Sequence, residues 1–390
     1  MLKMLTACTR EIDFVDKALS EVIKQLNLER DLLKHAVGIL TCSPDFVESG
    51  VIHALCGRLP FNVVGYTTLS SAACCEYDTE LLTLAVLTSD DVTFSAAISE
   101  PLFPSQIGTQ ISALYRRAAE ALPGKAALAL TYLPLSATSA DASLMVRELD
   151  KASGGEIPIF GSAACDNSPT FVDKCGVIYG GAFYPDSASL LLMHGDVKPR
   201  FFLGSVDRFE EMRKQHGVVT QSEGNIVKKI NDMLFLDYFT SIGLPISDLI
   251  YPALPVPFMV NYHDGTKSVA RVLHTVTPEG WGVFTAELPV GTTIAVHRLD
   301  GSGVLATAEG MVRTLARLKG VSGLLIHSCA LRYMLLGLRA GEEAQMGLKP
   351  LHDSAPYQFS YSGGEICPLV NEEGALLNRS HNFSFIACAL

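Results

Sequence analysis

Apolar stretches alternate with amphipathic stretches along the first half of the chain. The segments 35–42, 126–133 and 188–195 are largely apolar and end at turn-forming residues, which is typical of buried strands. The segment 14–30 instead repeats apolar residues at helical spacing, which predicts a helix. Strand, helix, strand and then antiparallel strands occur twice in this order. We therefore predict an internal duplication in the N-terminal half.

The C-terminal half begins after a polar stretch, residues 207–224, which we interpret as a domain boundary. Hairpin strands are predicted beyond it, followed by a helix over 303–318, a buried strand over 321–329 and two final strands. We predict a mixed α/β fold with largely antiparallel sheets and flanking helices. Its predicted parts are an N-terminal helix in residues 1–30, a first domain in 31–210 and a second domain in 218–390.

Composition narrows the class of protein. Of the 390 residues, 48% are hydrophobic and 18% are charged, which supplies enough apolar surface for a large core. The net charge is −11 and there is no basic stripe, so neither nucleic acid nor an anionic membrane surface is an expected partner. No apolar run approaches the ~18–20 residues that span a bilayer, so no membrane segment is predicted.

The cysteines and the N terminus favour a cytoplasmic location. The ten cysteines are scattered without a CxxC pair, and in a chain of this size they predict reduced thiols rather than a disulfide framework. Arg10, Glu11 and Asp13 follow too soon after the start for a signal peptide. We therefore expect a reduced cytoplasmic protein.

Three short blocks near the C terminus place polar side chains inside sequence that otherwise predicts buried strand. They are HSCALR (327–332), SYSGGEICP (360–368) and SHNFS (380–384). Arg, Glu and Asn normally lie on solvated surfaces, and here they are expected at strand ends. Their position therefore indicates a shared pocket.

Arg332, Glu365 and Asn382 are the polar residues of that predicted pocket. Arg332 is expected at a strand-to-helix junction, where a guanidinium binds a carboxylate or propionate; an interdomain salt bridge explains it equally well. Gly364 lets the backbone approach a ligand and Glu365 would receive an amine; the alternative is a tight turn capped by an exposed Glu. Asn382 offers a donor and an acceptor, or else holds a turn.

The N-terminal half adds small residues at two strand ends. Gly161, Ser162 and Asp166 belong to a run that follows one buried strand, and Val64–Thr68 ends another in the same way. Small residues at strand ends frequently line a ligand cavity. They equally suit tight packing of a strand against a helix, and the sequence leaves both interpretations open.

The short motifs described above occur along the chain in an order that resembles that of FIST domains. FIST domains are a family of bacterial sensory modules with an N-terminal and a C-terminal half. The resemblance covers residues 35–388. The sequence departs from the family at Gly363, where a bulkier residue is expected, and at His381, which replaces a plain aromatic. The similar elements are Val64–Thr68, Gly161–Asp166, Glu223–Ile226, Cys329–Arg332, Gly364–Pro368 and His381–Ser384.

The resemblance implies a cytoplasmic sensor of a small ligand. Amino-acid-like ligands are suggested for FIST domains, and Arg332 opposite Glu365 would suit a zwitterion. The family also implies output through a separate partner such as a histidine kinase. Stand-alone FIST proteins of this length further resemble the NosP group of haem-containing nitric oxide sensors, and haem needs an axial ligand. The axial candidates in this sequence are His194, His263, His274 and His327.

An enzyme is the alternative from a different class. Cys329 would be its nucleophile, with His327 on the same face of an extended segment. The sequence contains no G-x-S-x-G, H-E-x-x-H or P-loop motif. We therefore predict no catalytic residue and keep Cys329 as a candidate for contact with the ligand.

Overall fold

In the part of the chain that the structure describes, three six-stranded sheets and one seven-stranded sheet are flanked by helices, with a two-stranded ribbon beside them. The computed structural model describes residues 2–135, 142–168, 172–205, 216–244, 246, 257–296 and 300–390. Most strand pairs in these residues are antiparallel, which confirms the predicted mixed α/β class. No helix in the described part of the chain is both long and apolar enough to cross a bilayer. Part of the predicted boundary at 207–224 lies outside the described residues.

The first unit comprises the N-terminal strands and helices. Its elements are β1 (Leu2–Thr9), α1 (Val15–Leu26), α2 (Leu28–Asp31), β2 (His35–Cys42), α3 (Asp45–Glu48), α4 (Val51–Arg58), β3 (Val63–Thr67), β4 (Ser71–Ala73), β5 (Glu76–Asp78) and β6 (Leu82–Ser89). Four of these strands lie side by side in the order β1-β6-β2-β3. The short hairpin β4–β5 leaves this sheet and pairs elsewhere.

The N terminus differs from the predicted helix over residues 1–30. Leu2–Thr9 forms a strand that pairs with β6 along its whole length, and the helix begins only at Val15. The reason is that β1 covers the backbone groups of β6, which would otherwise form an exposed sheet edge. The helical spacing itself is confirmed, since α1 buries one apolar face: Ala18, Leu19, Val22 and Leu26.

The second unit repeats this order of elements. Its elements are β7 (Thr93–Ile98), α5 (Ile107–Glu120), β8 (Leu128–Leu133), α6 (Ala142–Ser153), β9 (Ile159–Ala163), β10 (Val177–Tyr179), β11 (Ala182–Tyr184) and β12 (Ser189–His194). The strands lie in the order β7-β12-β8-β9, and a short 3₁₀ turn over Pro104–Gln106 precedes α5. The topological repeat that the sequence predicted for the N-terminal half is therefore present.

A small barrel lies in the sequence between the second unit and most of a third unit, which is described in the next paragraph. The chain first forms β13 (Arg200–Gly204), which belongs to the third unit. The barrel elements are β14 (His216–Glu223), β15 (Ile226–Ile230), β16 (Met233–Leu234), α7 (Phe235–Ser241), β17 (Pro257–Asn261), β18 (Val269–Val276), β19 (Gly282–Phe284) and β20 (Thr293–Val296). The order is β14-β20-β17-β18-β19-β15, and pairing of β15 with β14 closes the ring around an aromatic core.

The third unit contains the C-terminal elements. They are α8 (Gly301–Leu315), β21 (Leu324–Cys329), α9 (Ala330–Leu336), α10 (Glu342–Gln345), α11 (Leu348–His352), β22 (Tyr357–Ser362), β23 (Glu365–Ile366), β24 (Leu369–Val370), β25 (Leu376–Leu377), β26 (Ser380–His381) and β27 (Phe385–Ala389). Its sheet runs β13-β27-β21-β22 and has the same topology as the sheets of the other two units. The chain thus contains a third copy, which the sequence pattern did not predict because the barrel interrupts it.

The three units exchange hairpins in a cycle. The two central strands of each sheet are parallel (β2 with β3, β8 with β9, β21 with β22), and a hairpin from another unit completes each sheet. The hairpin β10–β11 joins the first sheet, β4–β5 joins the third, and β23 with β26 joins the second. Three equivalent hydrogen bonds between backbone groups join each sheet to the hairpin from another unit. They run from Thr67 N–H to Gly176 O (2.9 Å), from Ala163 N–H to Gly364 O (2.8 Å) and from Tyr361 N–H to Ser70 O (3.0 Å).

The inner faces of the three sheets meet in one apolar core, and the helices pack on the outer faces. Core residues come from all three sheets, among them Val64, Leu130, Leu191, Leu325 and Ile386. Because β4–β5 and β13 belong to the third sheet, strand pairing crosses the predicted boundary between the two domains. The three units therefore pack as one assembly rather than as separate bodies.

Glycine at equivalent positions of β3 and β9 allows the parallel strands to approach closely. A Cβ on Gly65 would overlap the carbonyl of Leu40, and one on Gly161 would overlap the carbonyl of Thr131. These neighbours are backbone atoms that cannot move aside without breaking the sheet. For Gly161, the close contact is therefore with a neighbouring strand, whereas the packing alternative that the sequence left open was against a helix.

Gly65→Ala is expected to lower the free energy of unfolding by about 1–3 kcal/mol, because the added methyl group overpacks a buried backbone contact. The control is Gly57→Ala in α4, where a Cβ meets nothing within 4 Å. In that variant the free energy of unfolding is expected to rise by about 0.5–1 kcal/mol, because alanine favours a helix more than glycine does. Urea denaturation of both variants measures the difference. Equal stability of Gly65→Ala and the unchanged protein would contradict the close approach.

Candidate functional site

The segments that follow the central parallel strands surround a cavity of about 470 Å³. A volume of this size falls within the range of small-ligand pockets. The first unit contributes residues on both sides of hairpin β4–β5, the second contributes the loop after β9, and the third contributes α9 and its end. The lining residues are Leu69, Thr79, Asn167, Ser168, Tyr333, Met334 and Gly337.

A buried polar cluster lies on the inner faces of the strands that lead to this cavity. The Tyr66 hydroxyl is 3.0 Å from Nδ1 of His327 and 2.5 Å from Oγ of Ser360. Nδ1 of His327 is also 3.0 Å from Oγ of Ser360. Tyr66 and Ser360 occupy equivalent positions in β3 and β22, since their cross-strand partners are Thr41 and His327. The repeated topology therefore brings these groups together.

Two groups of the cluster still have hydrogen-bonding capacity. Tyr132 stacks on Tyr66 with ring centroids 4.7 Å apart, and its hydroxyl has no hydrogen-bond partner among the described residues. Nε2 of His327 is likewise buried without a partner in that part of the chain. Burial lowers the pKa of His327 to about 3, so the imidazole is neutral. A buried polar group without a partner costs about 1–3 kcal/mol, which suggests a functional reason for its retention.

Glu365 is fully buried, so the alternative of an exposed turn residue is wrong. It lies on β23 opposite Ser162 of β9 and accepts hydrogen bonds from Ser362 Oγ (3.1 Å) and Ser384 Oγ (2.7 Å). Burial raises the pKa of the Glu365 carboxyl to about 8, although the bonds from Ser384 and Ser362 act in the opposite direction. No cation pairs with it among the described residues. At neutral pH it is therefore mostly protonated.

Arg332 forms an ion pair with Glu343 instead of facing Glu365. Its Nε and Nη2 lie 2.9 and 2.6 Å from Oε1 of Glu343, and neither side chain is exposed. Nη2 also donates to Val304 O at 3.0 Å, and Nη1 donates to Phe383 O at 3.3 Å. All three guanidinium nitrogens thus donate to protein groups. The expected pairing of Arg332 and Glu365 around a zwitterion is not assembled in this structure.

Asn382 joins the third unit to the barrel, and Cys329 lies in a buried apolar cluster with residues of both. Oδ1 of Asn382 accepts a hydrogen bond from Thr285 Oγ1 at 2.8 Å, which joins the third unit to the barrel. Cys329 is 1% exposed, and burial raises the pKa of its thiol well above the ordinary value. A nucleophilic cysteine requires thiolate and access, and Cys329 has neither property here.

Asp166 positions the loop that lines the cavity. Its carboxylate accepts hydrogen bonds from the backbone N–H of Ser168 at 2.9 Å and of Lys174 at 2.5 Å, and it is buried. Ser168 is itself a cavity residue. Gly364 precedes Glu365 and supplies the carbonyl at one of the three equivalent junctions. Asp166 thus holds a cavity loop, whereas Gly364 lies at a junction between units. Tyr66 belongs to the segment 64–68 that the sequence marked, but Tyr132 was not singled out.

The four histidines predicted as haem ligands lie apart from one another. Nδ1 of His194 is 2.7 Å from Lys125 O, Nε2 of His263 is 2.7 Å from Thr293 Oγ1, and His274 is exposed on β18. His327 is enclosed by aromatic rings, with Phe160 stacked at 5.1 Å. None of them lines the cavity, and the described residues contain no cluster of metal-ligating side chains.

The raised pKa of Glu365 predicts a pH dependence of stability. The unfolded chain ionises this carboxyl near its ordinary value of 4.5, whereas the folded chain keeps it protonated up to about pH 8. Stability therefore falls as pH rises through this window, by about 1.4 kcal/mol per pH unit, and levels off above it. Glu365→Gln removes this effect, so its stability relative to the unchanged protein should rise with pH.

Denaturation midpoints at several pH values measure that difference. The exposed substitution Glu373→Gln serves as the control for general effects of removing a carboxylate. A difference between Glu365→Gln and the unchanged protein that stays constant from pH 5 to pH 8 would contradict the protonated, buried carboxyl.

The chain is similar to solved structures at low sequence identity. Among solved structures, the chain is similar to a cyanuric acid hydrolase from A. caulinodans, with 10% identity, 100% of this chain and 99% of that chain covered, and a TM-score of 0.39. A second cyanuric acid hydrolase structure shows 8% identity, coverage of 100% and 98%, and a TM-score of 0.36. No curated protein matches the sequence.

Family matches cover most of the chain. Residues 36–233 match the FIST N domain, and residues 234–368 match the FIST C domain. FIST domains are signal-transduction sensor domains that bind small ligands. The two matches follow one another along the sequence in the order that the resemblance implied. The chain therefore belongs to the FIST domain family.

Proposed function

We propose that this protein is a sensor that binds a small ligand in the cavity between its three units. The observation that supports this proposal is that all three units line the same cavity. A ligand there contacts loops from every unit, so its affinity depends on how the units are arranged. Binding would shift the equilibrium towards one arrangement of the units. The size of the shift equals the difference in binding free energy of the ligand between that arrangement and the others.

The ligand is proposed to be a small, amino-acid-like polar metabolite. The lining combines hydroxyl and amide groups of Thr79, Asn167 and Tyr333 with the apolar side chains of Leu69 and Met334. Such a surface recognises hydrogen-bonding groups together with a short apolar portion. Because Arg332 is engaged by Glu343, a carboxylate of the ligand would be bound by neutral donors rather than by this guanidinium.

The signal is proposed to pass to a separate protein, such as a histidine kinase, in the cytoplasm. This part of the proposal follows from the FIST family, whose domains act in signal transduction. The catalytic alternative has less support, because Cys329 is buried and its thiol has a raised pKa.

Thermal unfolding in the presence of each standard amino acid tests the ligand proposal. At least one is expected to raise the unfolding midpoint, because a ligand that binds only the folded state stabilises it. Asn167→Ala should raise the Kd of that ligand roughly two- to tenfold, because one hydrogen bond to the ligand is lost. The matched control is Asn62→Ala, which lies outside the cavity. If no amino acid shifts the midpoint, or if Asn167→Ala responds like the control, this proposal fails.

Haem with nitric oxide sensing is the alternative proposal, and it rests on the family resemblance. The amino-acid-like ligand predicts that haem added to the purified protein gives only the broad absorption of free haem. The haem alternative predicts a sharp Soret band that shifts with nitric oxide. In that case, loss of the band in His327→Ala and its retention in His194→Ala would identify the axial residue.

A further inference from the structure

Three cysteines lie together at one end of hairpin β4–β5. Cys74 and Cys75 form the two-residue turn between the strands, with φ of 52° and 64°. Turns with positive φ at both central residues strongly favour Asn and Gly, because a side chain with a Cβ is strained there. Cysteine at both positions is therefore a local conflict between residue type and conformation, of the kind that frequently marks a functional site.

Cys8 faces this turn from strand β1. Its Sγ lies 3.8 Å from the carbonyl of Ala73, the residue just before Cys74. The Sγ of Cys74 lies 3.5 Å from Oγ1 of Thr6. Thr6 and Cys8 are two positions apart on one strand, so their side chains share a face. Both sulfurs consequently lie on the same side of β1, within a small cluster that also contains Leu81.

The two thiols differ in exposure and in acidity. Cys8 is 6% exposed, whereas Cys74 is partly accessible. Interaction with the neighbouring Cys8 thiol lowers the pKa of Cys74 to about 7, and the same interaction raises the pKa of Cys8. A large fraction of Cys74 is therefore thiolate at neutral pH, and thiolate is the form that reacts with oxidants. Burial instead raises the pKa of other cysteines, including Cys42 and Cys329.

We propose that Cys74 and Cys8 are a redox modification site that forms a reversible disulfide with hydrogen peroxide. The Cys74 thiolate attacks one peroxide oxygen, which breaks the O–O bond and leaves a sulfenic acid and hydroxide; the hydroxide takes up a proton and becomes water. The Cys8 sulfur then attacks the Cys74 sulfur, loses its proton and expels the second oxygen as water. The two thiols are oxidised by two electrons, and peroxide is reduced to two waters. Two molecules of a thiol such as glutathione reverse the bond by successive exchange and become a disulfide themselves.

The bond would connect two sheets. β1 belongs to the sheet of the first unit, whereas hairpin β4–β5 pairs with β22 in the sheet of the third unit. Leu69 and Thr79, at the base of the same hairpin, line the cavity. Oxidation at the turn would therefore restrain a hairpin whose base contacts the ligand. Only this last link depends on the proposed function; the disulfide itself does not.

Mass spectrometry of the full chain tests the proposal. The reduced protein is treated with a small excess of hydrogen peroxide, remaining thiols are alkylated, and the digest is analysed. The expected product is a cross-linked peptide pair that joins Cys8 to Cys74, lacks two hydrogen atoms and separates with dithiothreitol. Cys75→Ser should still form it. If Cys8 stays alkylated while Cys75 is oxidised or bonded to Cys74, the proposal is overturned.

Alkylation rates provide a second readout that a structural role of the cysteines would not produce. In the Cys75→Ser background, the rate at Cys74 should rise with pH around a midpoint near 7. Adding Cys8→Ala removes the neighbouring thiol that lowers the pKa of Cys74, so the midpoint should move towards the ordinary value of 9.0. An unchanged midpoint would reject the pairing of the two thiols. Neither measurement involves the cavity ligand, so failure here leaves the proposed sensor function standing.

Discussion

The exchange of hairpins among the three units is the constraint on which the rest of the structure depends. A buried strand edge leaves backbone donors and acceptors unpaired, which is costly. Each open edge is covered by a hairpin from another unit: β10–β11 covers β3, β23 with β26 covers β9, and β4–β5 covers β22. No unit completes its sheet alone. The three sheets are therefore held in one relative orientation, with their inner faces around a common core.

That orientation brings polar groups from different sheets to one place. Tyr66, His327 and Ser360 share hydrogen bonds although they come from the first and third units, and Glu365 reaches the second sheet on an exchanged hairpin. Burial disfavours charge, so the imidazole of His327 and the carboxyl of Glu365 are mainly neutral at pH 7. The centre of the molecule is consequently a hydrogen-bonding environment, which suits recognition by donors and acceptors more than by ion pairs.

Much of the fold follows from the linear pattern. The buried strands at 35–42 and 126–133 and the amphipathic helix α1 were predictable, because periodicity reports which face of an element is buried. The repeat in the N-terminal half was also visible. The third copy was not, since the barrel lies between β13 and β21 and separates its strands along the sequence. The N-terminal strand β1 escaped prediction because its partner β6 lies far along the chain.

The sequence by itself determined the types of most elements, β1 excepted, and marked Gly364, Glu365 and Asp166 as polar or small residues in apolar surroundings. Only the tertiary structure decided which groups meet. It paired Arg332 with Glu343 rather than Glu365, and it brought Tyr132 beside Tyr66. The physical reason is that hydrogen bonds and cavities depend on distances between side chains from three sheets. Exchanged hairpins set those distances, and residues far apart in the sequence form the contacts.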